Sequence, residues 1–495
     1  MIGQLQPCKN EVKVNVNSNF KFYFRVIFSA VGGILVAALV ADLAGRMKQS
    51  KPSHSVSEPP KPKDDVETKF GEKIEELKET KEPEIEPKPQ QPPPKKKQSS
   101  WLIFSPLANF EKIQSIPDPK KKQDPDLSVL NGIRVMSLLW VILGHTYFLL
   151  LTAMDNLGTM LDVIGKYSFQ FINAGMFAVD SFFFLSGFLA YWSLAKRFRS
   201  KHFRLWQLPM VYVHRYLRIT PPHLAIILIA TGLWPYIGDG PFYYQFNDYN
   251  CKRNWWVNML YFSNFYDISY QCVGWVWYLM IDMQLFLLMP FVVLSFVKAP
   301  KLGWAICILG IAAQIANGIW ITVVYRIPMV GYKPPNYEEN FENCGDNCVP
   351  MEYAKQYEYY YVKPYTRMGP YIIGVIAAHI LMAHRKQVYK VMSKLWLNIL
   401  GWLVSFGIVY AIIYGPYDYY AGNYLNPLWV EALFNAFTRM VWAIPLGWIV
   451  LSCSTGHAGL IGDIMAWNGF AIPARLSYAA YLLHPLVQAY FGQTL

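Results

Sequence analysis

The chain has 495 residues, of which 54% are hydrophobic, 16% aromatic and only 16% charged. Together with a mean hydropathy of +0.18, this composition excludes a soluble protein of this size and is typical of a multi-spanning membrane protein. The formal net charge of +12 does not indicate nucleic-acid binding. Lys and Arg lie mainly in short segments between apolar runs, as the positive-inside rule expects.

About ten apolar runs are long enough to cross roughly 30 Å of hydrocarbon, so we predict an all-α, polytopic transmembrane helix bundle. The predicted spans lie near residues 22–44, 130–152, 174–195, 217–237, 275–297, 303–325, 368–384, 396–414, 429–451 and 474–492. If the N-terminus is outside or lumenal, alternation places the most basic loops in the cytoplasm and the cysteine-bearing loops outside. This topology fits either the plasma membrane or the endoplasmic reticulum.

The distribution of apolar and charged residues also divides the chain into segments. The linker between the first two spans is dominated by Lys, Glu and Pro, so we predict a disordered cytoplasmic tether. Both ends are expected to be incomplete, because the last apolar run stops at the end of the chain and Cys8 would have no partner. The predicted segments are a short outside segment at 1–21, a first helix at 22–45, the linker at 46–126 and a transmembrane domain at 127–495.

Four cysteines lie in predicted outside loops. Cys251 and Cys272 share one such loop and Cys344 and Cys348 share another, so we predict two disulfides within loops. Cys307, inside an apolar run, is expected to be a small buried hydrophobe. We expect no metal site, because His and Cys do not recur at zinc spacing.

The second apolar run carries two polar residues, Arg134 and His145, eleven positions apart. Eleven residues are almost a whole number of helical turns, so the two side chains share one face about 16 Å apart along the axis. A cation and an imidazole within a span are costly unless they line a polar cavity. The alternatives are that Arg134 snorkels to lipid headgroups and that His145 packs between helices.

Arginines and a carboxylate recur near later spans. Arg215 and Arg218, three residues apart at the predicted mouth of the 217–237 helix, either bind phosphates through their guanidinium groups or form a positive-inside flank. Asp282 either orients His145 or an arginine, or forms a salt bridge within the bundle.

Three further polar residues lie within or beside apolar runs. Asp180 precedes such a run, and Ser186 within it is followed by a glycine, which favours close helix packing and a hydrogen bond between helices. For both residues we favour a supporting structural role. His484, ten residues into the last run, is either a second site residue or a core histidine.

Five motifs, taken together, resemble acyltransferase family 3 of integral membrane proteins. They are Arg134-x10-His145, DSFFFLSGFL from Asp180, the RxxR pair Arg215 and Arg218 within HRYLRITPPH, WYLMIDMQLF from Trp277 and LSYAAYLLHP from Leu476. The resemblance covers roughly residues 100–495. It looks most like the animal nose-resistant-to-fluoxetine subgroup, although the cysteine-rich outside domain common in that subgroup is absent.

The resemblance implies transfer of an acyl group from cytoplasmic acyl-CoA to a hydroxyl-bearing acceptor in or across the membrane. It implies His145 as general base, with Arg134 and Asp282 in the catalytic site and Arg215 and Arg218 binding CoA. Membrane lipids are then expected partners, and no metal cofactor is expected. The rival hypothesis is a multi-pass transporter or carrier of lipids or small hydrophobic molecules, although the sequence shows no convincing internal repeat. A scaffold would leave the intramembrane Arg and His unexplained.

Overall fold

The computed structural model describes residues 33–44, 105–115, 126–149, 157–238, 248–329 and 355–494. Over these ranges the regular secondary structure is helical and contains no strand, so the all-α prediction is confirmed. The N-terminal segment 1–21, most of the linker 46–126 and the predicted Cys344–Cys348 pair lie outside the described residues.

The longer helices are numbered in chain order. They are α1 Gly33–Ala44, α2 Pro106–Gln114, α3 Val129–Leu149, α4 Leu157–Ile164, α5 Phe177–Phe198, α6 Leu208–Leu228, α7 Asp248–Met259, α8 Trp277–Lys298, α9 Pro300–Tyr325, α10 Met368–Ala383, α11 Arg385–Met392, α12 Leu395–Tyr414, α13 Leu428–Ser454, α14 Gly459–Met465 and α15 Ala471–Thr494. Two π-helical segments, Ile229–Leu233 and Gln356–Tyr361, follow α6 and precede α10.

The protein is an integral, multi-pass membrane protein. Within the described ranges, seven helical segments are long and apolar enough to span a membrane: Val129–Leu149, Tyr167–Phe198, Leu205–Leu233, Gly274–Lys298, Pro300–Tyr325, Leu395–Tyr420 and Leu428–Ser454. Two shorter apolar helices, α1 and α10, and the 24-residue α15 occupy the remaining predicted positions. A count of ten spans is therefore not confirmed, although a helix lies at every predicted position.

Residues up to Gln114 form a separate unit from the rest of the chain. Within this unit the Ser105 hydroxyl accepts a hydrogen bond from the Ala108 N–H (3.3 Å) and donates one to the Asp42 carboxylate (2.6 Å). A serine cap followed by proline at the first helical position is a strong helix start. This explains why α2 forms inside the stretch predicted to be an unstructured linker.

In the second unit, α5 is the central helix and packs against α3, α8, α10 and α13. Its closest approach is to α10. A Cβ atom at Gly187 would collide with the Tyr371 carbonyl oxygen, and one at Gly374 would collide with the Phe184 carbonyl oxygen. Small residues at such positions let two backbones touch, which fixes α5 and the polar residues that it carries.

Helix α6 begins earlier than predicted, at Leu208 instead of near residue 217. Proline is favoured in the first turn of a helix, and α6 has one there. Arg215 and Arg218 lower the hydropathy of this half, so the apolar pattern alone missed it. Both arginines therefore lie within the helix and not at its mouth.

The predicted disulfide between Cys251 and Cys272 is confirmed. It joins α7 to the segment that leads into α8, and both cysteines are buried. Cys307 is buried and unpaired, as a small core hydrophobe should be. The bridge fixes the chain immediately before the helix that carries Asp282.

Candidate active site

The structure pairs His145 on α3 with His484 on α15. The His145 Nδ1 and His484 Nε2 atoms are 2.7 Å apart, and the two rings meet edge to edge and nearly coplanar, with centroids 5.0 Å apart and an interplanar angle of 10°. His484 is buried and His145 is half-buried. His484 was expected to be either a second site residue or a core histidine. Its contact with His145 favours a site residue.

The surrounding hydrogen bonds determine where the protons of the two imidazoles lie. His484 Nδ1 is 3.1 Å from the carbonyl oxygen of Ala480, which can only accept, so this nitrogen carries the proton. In a neutral imidazole the other nitrogen is then an acceptor. His484 Nε2 therefore accepts from His145 Nδ1, and the lone pair of His145 is on Nε2, available as a base.

One turn beyond His484, Gln488 fixes the position of α15 on α3. Its side-chain amide donates to the Ile142 carbonyl oxygen (2.8 Å) and to the Thr146 hydroxyl (2.7 Å). These bonds flank His145 on the facing helix, so they hold the two imidazoles in register. We did not single out Gln488 from the sequence. Its spacing of four residues from His484 was the available signal.

A second group of polar side chains centres on Asp282 of α8. Its carboxylate accepts hydrogen bonds from the Ser186 hydroxyl and from the Arg215 guanidinium. The Arg215 guanidinium also lies over the Phe286 ring, 4.0 Å from the centroid. Of the alternatives for Asp282, the structure shows a salt bridge with an arginine, whereas His145 is paired with His484 instead.

Arg134 and Arg218 lie next to this group. Arg134 is half-buried and has Tyr278 and Arg218 as electrostatic neighbours, whereas Arg218 is exposed. Within the described residues, neither arginine has a carboxylate partner. Among the described residues, Arg134, Arg215 and Arg218 thus outnumber the one carboxylate of this group, Asp282.

Two tyrosines connect the histidine pair to the arginines. The Tyr278 and Tyr481 rings are 5.7 Å apart and the Tyr481 and His484 rings 6.0 Å apart. The Tyr481 hydroxyl donates to the Trp275 carbonyl oxygen at 2.6 Å. Tyr278 is also an electrostatic neighbour of Asp282, Arg215 and Arg134, so the two tyrosines lie between the histidine pair and the Asp282 group. Both tyrosines belong to motifs already noted, but only their charged or titratable neighbours had been singled out.

The described residues contain no group of three or more His, Cys, Asp or Glu side chains that could hold a metal ion. The polar side chains that the structure brings together are an imidazole with a free lone pair, several guanidinium groups and tyrosine hydroxyls. Such a set can accept a proton and bind an anion.

Fold and site together define a multi-pass membrane protein with a polar site inside its helix bundle. Residues 127–495 match the family model described as an acyltransferase domain. The chain therefore belongs to acyltransferase family 3.

Two curated proteins of Caenorhabditis elegans are similar to this chain. Nose resistant to fluoxetine protein 6 is 32% identical over 407 residues, which cover 78% of this chain and 47% of that protein. Regulator of hypoxia-inducible factor 1 is 24% identical over 387 residues, covering 75% of this chain and 72% of that protein. The chain thus spans about half the length of the first relative. No solved structure matches the chain.

Proposed function

We propose that the protein is an O-acyltransferase that moves an acyl group from cytoplasmic acyl-CoA to a hydroxyl acceptor in or across the membrane. The observation that carries this proposal is the hydrogen-bonded pair of His145 and His484. It leaves one nitrogen of a half-buried imidazole free to act as a base.

In the proposed reaction, His145 Nε2 accepts the proton of the acceptor hydroxyl while the oxygen attacks the thioester carbonyl carbon. The carbon–sulfur bond breaks, an ester forms, and the imidazolium returns the proton to the CoA thiolate. His484 stabilises the imidazolium, because its Nε2 accepts the hydrogen bond from His145 Nδ1. It is a positioning residue, since it acts through His145.

The arginines are the proposed binding site for the phosphates of CoA. Like charges placed close together repel one another, and Arg134 and Arg218 are electrostatic neighbours. A polyanionic donor would relieve this repulsion and accept charge-assisted hydrogen bonds from both. The salt bridge with Asp282 fixes the orientation of the Arg215 guanidinium. Arg134 and Arg218 have no such partner within the described residues.

The test is release of free CoA by purified protein in nanodiscs, supplied with labelled acyl-CoA and a lipid extract as the source of acceptor. The wild-type protein should release CoA and transfer the label. His145→Gln should lower the rate at least about 100-fold, as expected for loss of a general base, without lowering the melting temperature.

The matched control is His457→Gln, because His457 is also half-buried but lies against Tyr389 (ring centroids 4.8 Å apart), away from the site. This variant should retain CoA release. Unchanged turnover in His145→Gln would refute the assignment of the base. Movement of a lipid across the bilayer by the wild type without thioester loss would instead support the transporter alternative.

A further inference from the structure

A second cluster of charged side chains, formed by Asp180, Arg367 and Arg439, lies in the core outside the proposed active site. Arg367 Nη1 donates to both carboxylate oxygens of Asp180, at 2.8 and 2.9 Å. The side chains of this pair are 0% and 1% exposed. Water therefore does not screen the charges of this ion pair.

Arg439 of α13 adds a second positive charge to this cluster. Its Nε donates to the Tyr360 hydroxyl at 2.9 Å, and Asp180 is one of its electrostatic neighbours. Glu431, the buried acid of α13, accepts instead from the Met329 backbone N–H. Within the described residues the cluster thus has two guanidinium groups and one carboxylate.

Both guanidinium groups retain unused donors. Arg367 Nη2 and Arg439 Nη1 are buried and have no hydrogen-bond partner in the described part of the chain. Aromatic rings lie under both groups, with Tyr361 shared at 4.6 Å from Arg367 and 5.5 Å from Arg439. Such cation–π contacts stabilise the charge through the face of the guanidinium, but they leave its in-plane N–H groups unsatisfied.

We infer that this cluster binds one small monovalent anion such as chloride. An unpaired charge in the interior costs several kcal/mol, and a buried donor without an acceptor adds to that cost. Together with the Asp180 carboxylate, one anion between Arg367 and Arg439 would balance the two positive charges and accept from the free N–H groups. The unused nitrogens are inaccessible from the surface, which favours a monatomic ion over the headgroup of a lipid.

This site is distinct from the proposed active site and does not depend on its function. Asp180 forms its salt bridge with Arg367, whereas Asp282 forms one with Arg215 and accepts a hydrogen bond from Ser186. Loss of the anion should therefore lower stability whether or not the protein transfers acyl groups.

The experiment measures the melting temperature of the purified chain in phosphatidylcholine nanodiscs, with sodium chloride replaced by sodium gluconate at constant ionic strength. Saturating chloride should raise the melting temperature of the wild type by about 5 °C. Equilibrium dialysis with radiolabelled chloride should show a saturable site. Arg439→Gln removes the surplus charge, so its melting temperature should no longer depend on the anion.

The control is Arg475→Gln, because Arg475 is an exposed arginine that donates to the backbone at Ser115. It should keep the full chloride response. The inference is overturned if the wild type melts equally in both salts and binds no chloride, or if Arg439→Gln keeps the response. It is also overturned if only anionic phosphatidylglycerol, and not chloride, stabilises the wild type. Because dialysis needs only folded wild-type protein, the inference stays testable even if Arg439→Gln does not fold.

Discussion

Within the part of the chain that the structure describes, two arginine–aspartate clusters lie inside the helix bundle, and they differ in how exposed they are. The Asp282 cluster, with Arg215, adjoins an exposed arginine, and the Arg215 side chain is 19% exposed. The Asp180 cluster, with Arg367 and Arg439, is fully enclosed, with residue exposures of 0%, 0% and 4%. An arginine–aspartate pair that is partly exposed can contact a substrate. A pair that is completely buried can contribute only to the stability of the fold.

The largest effect that separates the two clusters is expected from Asp180→Asn. Removing one partner of a buried ion pair leaves an uncompensated charge and costs about 3–5 kcal/mol. We expect a large loss of thermal stability, measured by unfolding in nanodiscs. Asp282→Asn should lower the melting temperature less, because Arg215 is partly exposed. Equal stability losses in the two variants would contradict the contrast between sealed and open clusters.

Asp282→Asn should instead act mainly on the reaction. Without the carboxylate, Arg215 loses the partner that orients it, and we expect CoA release to fall by at least about tenfold, equivalent to about 1.4 kcal/mol. Asp282→Glu keeps the charge and should restore part of the rate, whereas a purely steric role would not favour Glu over Asn. Full activity of Asp282→Asn would remove Asp282 from the site.

A smaller effect is expected at the other end of the site. His484→Phe keeps an aromatic ring against His145 but removes the acceptor for Nδ1, so the rate should fall about tenfold. His484→Gln retains an acceptor oxygen and should recover part of this loss at similar stability. If both variants are equally impaired, the hydrogen bond between the imidazoles is not what positions His145.

The smallest effect is expected from Arg218→Gln. Exposed charges interact weakly and are screened by salt, so we expect the KM for acyl-CoA to rise only about threefold and to become less sensitive to ionic strength. Kinetics at two salt concentrations would measure this. A change confined to the acceptor would contradict the proposed role of Arg218 in donor binding.

Helical periodicity was sufficient to place Arg134 and His145 on one face of α3. The Cys251–Cys272 bridge was predictable because both cysteines lie in the same predicted outside loop, where disulfides form. The partner of His145 was not predictable in the same way, because His484 is 339 residues away and one sequence does not show which helices are neighbours. For Asp282, the sequence predicted a polar partner but not which one.

The sealed cluster was missed for a different reason. Arg439 lies within an apolar run and is as costly there as Arg134 is in α3, so the signal was present but we did not single it out. Arg367 immediately precedes the short helix α10 and has the sequence pattern of an ordinary flanking charge. Only the packing of α5 against α10 and α13 brings it to Asp180.

The glycine contacts between α5 and α10 have a mechanical consequence. At Gly187 and Gly374 the backbones of α5 and α10 are in direct contact, with no layer of side chains between them that could rearrange. The two helices should therefore move as one rigid body. Helix α6 is different, since it is largely exposed, contains two internal prolines and continues into a π-helical segment. Helix α6 therefore lacks the backbone-to-backbone contact that makes α5 and α10 one rigid pair.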